Sequence, residues 1–143
     1  MSKLPHSSSE LFQQLESFLN STAKVSLLLW PSGGDKGRGE HLRKCLGVAD
    51  DNRLATRSAR NHLQHFDERL DKWAATTKNG NYIDQNTGSL RAYRRDDGEP
   101  VLRHYDPAVS VFTFHSEDFN IAELASEVQK VAAAARDFKP VTA

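Results

Sequence analysis

Apolar residues recur at helical intervals through the first half of the chain. Leu11, Leu15, Phe18, Leu19, Val25, Leu28 and Leu29 follow one another at spacings that suit one helix face and predict a helix over residues 7–29. Ser7 and Glu10 stand at capping-box spacing at its start. Pro31 and the segment "PSGGDKGRG" end it, because proline and paired glycines do not continue a helix. That segment lacks the Gly-Lys-Ser/Thr order of a phosphate-binding loop and reads as a plain connection. A second, short helix is expected from residue 38 or 39 to 46, with Leu42, Cys45 and Leu46 inward and Gly47 as its stop. "VADDN" reads as a turn. A third helix is expected from 54 or 56 to about 76, with Ala59, Leu63, Phe66, Leu70 and Trp73 as its inward stripe.

After Lys78 the pattern changes. "KNGNYIDQNTGSL" and "RRDDGEP" carry the Asn, Asp and Gly of turns, and between and after them lie the β-type runs "LRAYR", "VLRHY" and "VSVFTFH". The last two flank Asp106-Pro107-Ala108 and predict a hairpin. Val109, Val111 and Thr113 fall on one face of it, Phe112 and Phe114 on the other. Asn120, with Glu123 at capping-box spacing, opens a final helix with the stripe Ile121, Leu124, Val128, Val131 and Phe138; Pro140 lies past its end. The expected architecture is mainly α: one domain over residues 1–143, a four-helix up-and-down-like bundle with a small β-hairpin, in the region of about 82–115, inserted before the last helix.

Composition narrows the chemistry. The chain has 143 residues with 19 basic and 19 acidic side chains, so no global positive field holds a long nucleic acid, and any contact with one must come from a local patch. A single cysteine excludes an internal disulfide and a Cys-based zinc site. His62 and His65 are three apart, unlike the HExxH spacing of zinc hydrolases, and no serine or cysteine sits in a nucleophile motif, so neither metal nor cofactor is expected. The longest apolar run, residues 25–30, falls far short of the roughly 18 residues of a membrane span. A soluble, cytoplasmic protein without membrane contact is the expectation.

The third helix carries "RSARNHLQHFDERLDKW", three arginines, two histidines and several acids on one element. Stepping about 100° per residue places Asn61 and His65 about 40° apart on the outer face, with Arg69 continuing that side. His62 lies on one flank of the apolar stripe, next to Arg69; Arg60 and His65 stand roughly 140° apart and do not point at one spot in a straight helix. A solvated face is the plain reading, with Glu68 and Lys72 as a favourable i,i+4 pair.

Arg60-Asn61 followed by His65 has the form R-x4-H with a polar residue after the arginine, on a helix, and this resembles the HEPN superfamily of toxin and antiviral ribonucleases and their non-catalytic relatives. Arg57 and His62 form a second R-x4-H. The resemblance implies metal-independent RNA cleavage in a cleft formed where two copies pair, with Arg60 on the phosphate, His65 as acid and base, and Asn61 positioning. It further implies a homodimer and, for a toxin, an antitoxin-like protein partner. The chemistry suits these residue types. RNA carries its own nucleophile, the 2′-OH, and needs a proton acceptor, a proton donor and a cation at phosphorus.

Arg57, Arg69, Arg94 and Arg95 are the candidate RNA-binding cations. Arg94 and Arg95 belong to a patch with Arg91, Arg103, Tyr93, His104 and Tyr105, which reads either as a single-strand platform or as a hairpin edge kept soluble by charge. Trp30 and Trp73 close apolar patterns and read as core anchors, and Cys45 as a small buried hydrophobe. The alternative function is a non-enzymatic module that binds a protein partner.

Overall fold

The computed structural model describes residues 8–56, 58–77, 82–89 and 101–140, with the backbone alone at 59 and 60. Within them, helices α1 (Ser8–Leu29), α2 (Lys36–Leu46), α3 (Ser58–Gln64), α4 (Phe66–Thr76) and α5 (Ile121–Asp137) accompany strands β1 (Asn86–Thr87), β2 (Arg103–Asp106), β3 (Val111–Phe114) and β4 (Glu117–Asn120). The strands form one mixed sheet in the order β1-β2-β3-β4, parallel between β1 and β2 and antiparallel thereafter. This α+β arrangement corrects the expected four-helix bundle with an inserted hairpin. The sheet is part of the core: Phe112, Phe114 and Phe119 are as buried as Phe12, Leu15 and Leu19 of α1, and Phe12 meets Phe112 with ring centroids 6.0 Å apart. A sheet with one strongly apolar face must bury it against helices, and α1 supplies the cover.

Helix α1 spans the predicted range, but its deepest residue is Phe12, and Leu28 of the expected stripe is 56% exposed. Ser7 of the proposed capping box lies outside the described residues. Helix α2 begins earlier than the apolar pattern indicated because the Asp35 carboxylate accepts from the Arg38 amide at 3.1 Å; Gly47 closes it in the left-handed conformation, as expected. Cys45 is exposed, which corrects its inward assignment. The buried member of α2 is Gly39, which lets the helix approach Pro31 and the Leu29 carbonyl. Arg43 lies over the Trp30 ring and donates to that same carbonyl.

The expected third helix is interrupted. A 3-10 turn (Arg53–Ala55), opened by Asn52, precedes α3, and the rod kinks at His65 (φ −105°, ψ 36°) before α4. Residues 58–77 contain neither Gly nor Pro, so no local signal announced the kink. Trp73 is buried and Leu63 and Phe66 pack on the core, whereas Leu70 is exposed. The predicted hairpin appears as β2 and β3 with the predicted alternation at 111–114. Val109, however, is exposed in the loop, and Thr113 is buried too. The second hairpin, β3 to β4, was not anticipated. Its two-residue turn, His115-Ser116, holds both residues at positive φ (45° and 73°), the form usually built from Asn-Gly. Helix α5 follows at once, with Asn120 Oδ1 accepting from the Glu123 amide at 3.0 Å; Phe138 lies beyond its end, exposed. "LRAYR" lies outside the described residues.

A candidate site where the kinked helix meets the second hairpin

Cross-strand register builds one side of this site. Arg103, Phe114 and Glu117 stand directly opposite one another across β2, β3 and β4, and Tyr105, Phe112 and Phe119 form the next row of the same face. His62 descends from α3 onto this face. Its ring lies 5.3 Å from Phe114, centroid to centroid, and meets the Phe119 ring edge-on at 6.2 Å. That stacking places Nε2 at the Glu117 carboxylate, with which it is hydrogen-bonded. From α4, Arg69 Nε donates to Nδ1 at 3.0 Å. Guanidinium nitrogens only donate, so Nδ1 is the acceptor and the ring proton sits on Nε2, donated to Glu117. His62 is thus a neutral imidazole held at both nitrogens, with its side chain 13% exposed.

His115 adds a second imidazole. The tight turn fixes its backbone, its amide donates to the Leu102 carbonyl at 2.8 Å, and its Nε2 is buried without a hydrogen-bond partner among the described residues. Burial pushes its pKa below the ordinary imidazole value, and the charges of Arg69 and Lys72, with that of His62 when protonated, push the same way.

Of the residues nominated from sequence, Arg69 is brought to His62, as their seven-residue spacing on one helix side had suggested. His65 sits at the kink, exposed, with Nδ1 3.2 Å from Glu68 of its own helix, and Asn61 is exposed one turn earlier. Arg60 has its backbone in α3 and its side chain outside the described residues. Arg57, Arg94 and Arg95 lie outside them as well, as do Arg91 and Tyr93. The basic patch loses two members to the interior. Arg103 is held by both oxygens of Asp84 (2.9 and 2.6 Å) and by Glu16 (2.6 Å) over the Phe66 and Phe12 rings, with its pKa raised mainly by Asp84. His104 is fully buried, 3.1 Å from Asn86 Nδ2 and 2.8 Å from the Gly88 carbonyl.

Glu117 and His115 were not found from sequence. His-Ser lacks the Asn or Gly that marks a two-residue hairpin, so the strand pairing that brings Glu117 to His62 left no trace in the local pattern.

A groove of about 390 Å³ opens on the other side of Phe119, between the 3-10 turn and the start of α5. Its carboxylates Asp51, Asp118 and Glu123 outnumber Arg53, which is itself paired with Glu123 at 2.5 Å, so phosphate is disfavoured there. Among the described residues, no three His, Cys, Asp or Glu side chains converge as metal ligands would, and no helix is long and apolar enough to cross a membrane. Comparison with protein-family models, with curated proteins and with solved structures yields no match.

Proposed function

We propose that the chain is a metal-independent endoribonuclease, or an RNA-binding relative of one, whose working histidine is His62. The observation that carries this reading is the hydrogen-bonded series Glu117–His62–Arg69. A carboxylate that orients one ring nitrogen makes the other a better base, and an arginine beside it supplies the cation for a phosphate. In the step envisaged, Nδ1 of His62 accepts the 2′-OH proton as that oxygen attacks phosphorus. The P–O5′ bond breaks, O5′ leaves with a proton from an acid, and a 2′,3′-cyclic phosphate remains. The HEPN resemblance now rests on the R-x4-H residues without the helical-bundle setting, and it still names Arg60, Asn61 and His65 as the rival site in a homodimer.

RNA cleavage in excess EDTA separates the two. Loss of cleavage in His62→Gln with retention in His65→Gln supports the His62 site. Loss in Arg60→Ala and His65→Gln with retention in His62→Gln supports the R-x4-H site. Absence of cleavage and of RNA binding in the wild-type protein rejects both and leaves a protein-binding module.

A further inference from the structure

The groove beside Phe119 has an unpaired strand along one wall. β4 ends the order β1-β2-β3-β4, so one side of it has no neighbouring strand among the described residues. The two-residue turn at 115 and 116 makes Phe114 and Glu117 a hydrogen-bonded pair, and such pairs alternate along an antiparallel ladder. Phe112 and Phe119 form the next one, and the Ile121 amide, donating to the Ser110 carbonyl at 2.8 Å, continues the series. Asp118 and Asn120 fall between these pairs and turn their backbone groups away from β3. The Asn120 carbonyl belongs to the first turn of α5. The free edge therefore presents the Asp118 N–H and C=O and the Asn120 N–H, and Asp118, Phe119 and Asn120 all line the groove.

The opposite wall is fixed. Leu54 is buried and anchors the 3-10 turn in the core, Asn52 Nδ2 donates to Glu127 at 2.9 Å, and Arg53 pairs with Glu123. A slot with rigid walls costs its occupant little reorganisation. Its volume, about 390 Å³, lies within the range of about 300–1,000 Å³ found for ligand clefts. Three carboxylates meet one guanidinium there, and Glu123 takes that guanidinium, which leaves Asp51 and Asp118 uncompensated. Asp118 spends one oxygen on the Thr113 hydroxyl at 2.7 Å and keeps the other. The α5 N-terminus, which by itself favours anions, is covered by the Asn120 side chain and carries Glu123 in its first turn.

The geometry points to a docking groove for an extended, basic segment of a partner protein, which adds a strand to β4 and sets its lysine or arginine side chains against Asp51 and Asp118. Strand addition joins main chain to main chain, and alternate side chains then supply the specificity. The inference does not rest on the His62 reading. A protein that cleaves no RNA still holds this groove, and loss of the groove leaves His62 in place.

The test follows backbone amides in ¹H–¹⁵N spectra while a capped pentapeptide of alternating valine and lysine is added to the whole chain. Saturable shifts are expected at Asp118, Asn120 and the 3-10 turn, with slower hydrogen exchange at the Asp118 and Asn120 amides. The same peptide with glutamate in place of lysine should not bind. Two peptides N-methylated at alternate residues, one in each register, should differ: the methyls that face β4 abolish binding and those that face away leave it. Asp118→Asn, which keeps an acceptor for Thr113, should weaken binding by about threefold, and its combination with Asp51→Asn by about tenfold. Equal binding of the glutamate peptide overturns the charge complementarity. Equal binding of both methylated peptides, with exchange at Asp118 and Asn120 unchanged, overturns the added strand. No binding of the lysine peptide overturns the groove as a docking site. The same shifts on concentrating the protein alone make a second copy the occupant and overturn the partner segment.

Discussion

Arg69 Nε and His62 Nδ1 lie 3.0 Å apart, joining α4 to α3 across the kink at His65. The two residues are seven apart, two helical turns, so they share a side of the rod, and the long arginine reaches back toward the N-terminus. That one bond sets the tautomer of His62 and hence the direction of its bond to Glu117.

Replacing His62 with Phe keeps the stack on Phe114 and removes both hydrogen bonds, leaving Glu117 and Arg69 without this partner. A loss of about 1–2 kcal/mol is expected in urea unfolding. His65→Ala removes an exposed side chain and should stay within about 0.5 kcal/mol of wild type. Equal effects of the two would mean that His62 is no better integrated than a surface residue.

His115 makes stability depend on pH. Its folded-state pKa lies below the ordinary 6.5, driven first by burial and then by Arg69, His62 and Lys72. On acidification the unfolded chain takes up this proton more readily than the folded one. The contribution of His115 is therefore complete above about pH 6.5 and is lost as pH falls through the folded-state value. Denaturant titrations at about pH 7 and 5 should show a smaller drop in His115→Asn than in wild type. Parallel profiles would show that the imidazole titrates as in the unfolded chain.

Ser26 is buried in α1, and its Oγ has no hydrogen-bond partner among the described residues. An unpaired buried hydroxyl is a cost, and alanine is the better helix former. Ser26→Ala should stabilise the fold by about 1 kcal/mol in thermal unfolding. A destabilisation would reveal an acceptor for the hydroxyl.

At Gly39 an added Cβ would stand 2.3 Å from Pro31 Cδ and 2.7 Å from the Leu29 carbonyl oxygen. Gly39→Ala gains about 1 kcal/mol of helix propensity but forces apart the junction of α1 and α2, and overpacking of this kind costs about 1–3 kcal/mol. A net loss is expected in denaturant melts, contrary to the usual effect of alanine in a helix. A gain would show that the junction opens freely.

Arg103 binds Asp84 and Glu16 at once, with its own side chain 12% exposed. Arg103→Met leaves two carboxylates facing each other without their cation, and a loss of about 3 kcal/mol is expected. Arg103→Lys should recover only part of it, since an ammonium cannot reproduce the paired bonds to Asp84. Full recovery with lysine would reduce the site to simple charge neutralisation.

Local signals served well where one residue type answers one backbone need. Gly47 at the end of α2, Asn120 at the start of α5 and the helical spacing of α1 were legible because caps and periodicity act within a few residues. The β2–β3 hairpin was legible for the same reason. Three features were not. The kink at His65 has no breaker beside it, the His115-Ser116 turn is built from residues that seldom form it, and β4 follows too closely to show a period of its own.

The chain by itself determined where most of its helices lie, which strands alternate, and that His62 and Arg69 share a helix side, because these are consequences of fixed backbone periods. Only the tertiary structure decided that the sheet joins the core, that Arg103 and His104 go inside, and that Glu117 meets His62. Those contacts link residues 50 or more apart in sequence, or depend on a strand register, and they are set by which apolar faces cover one another.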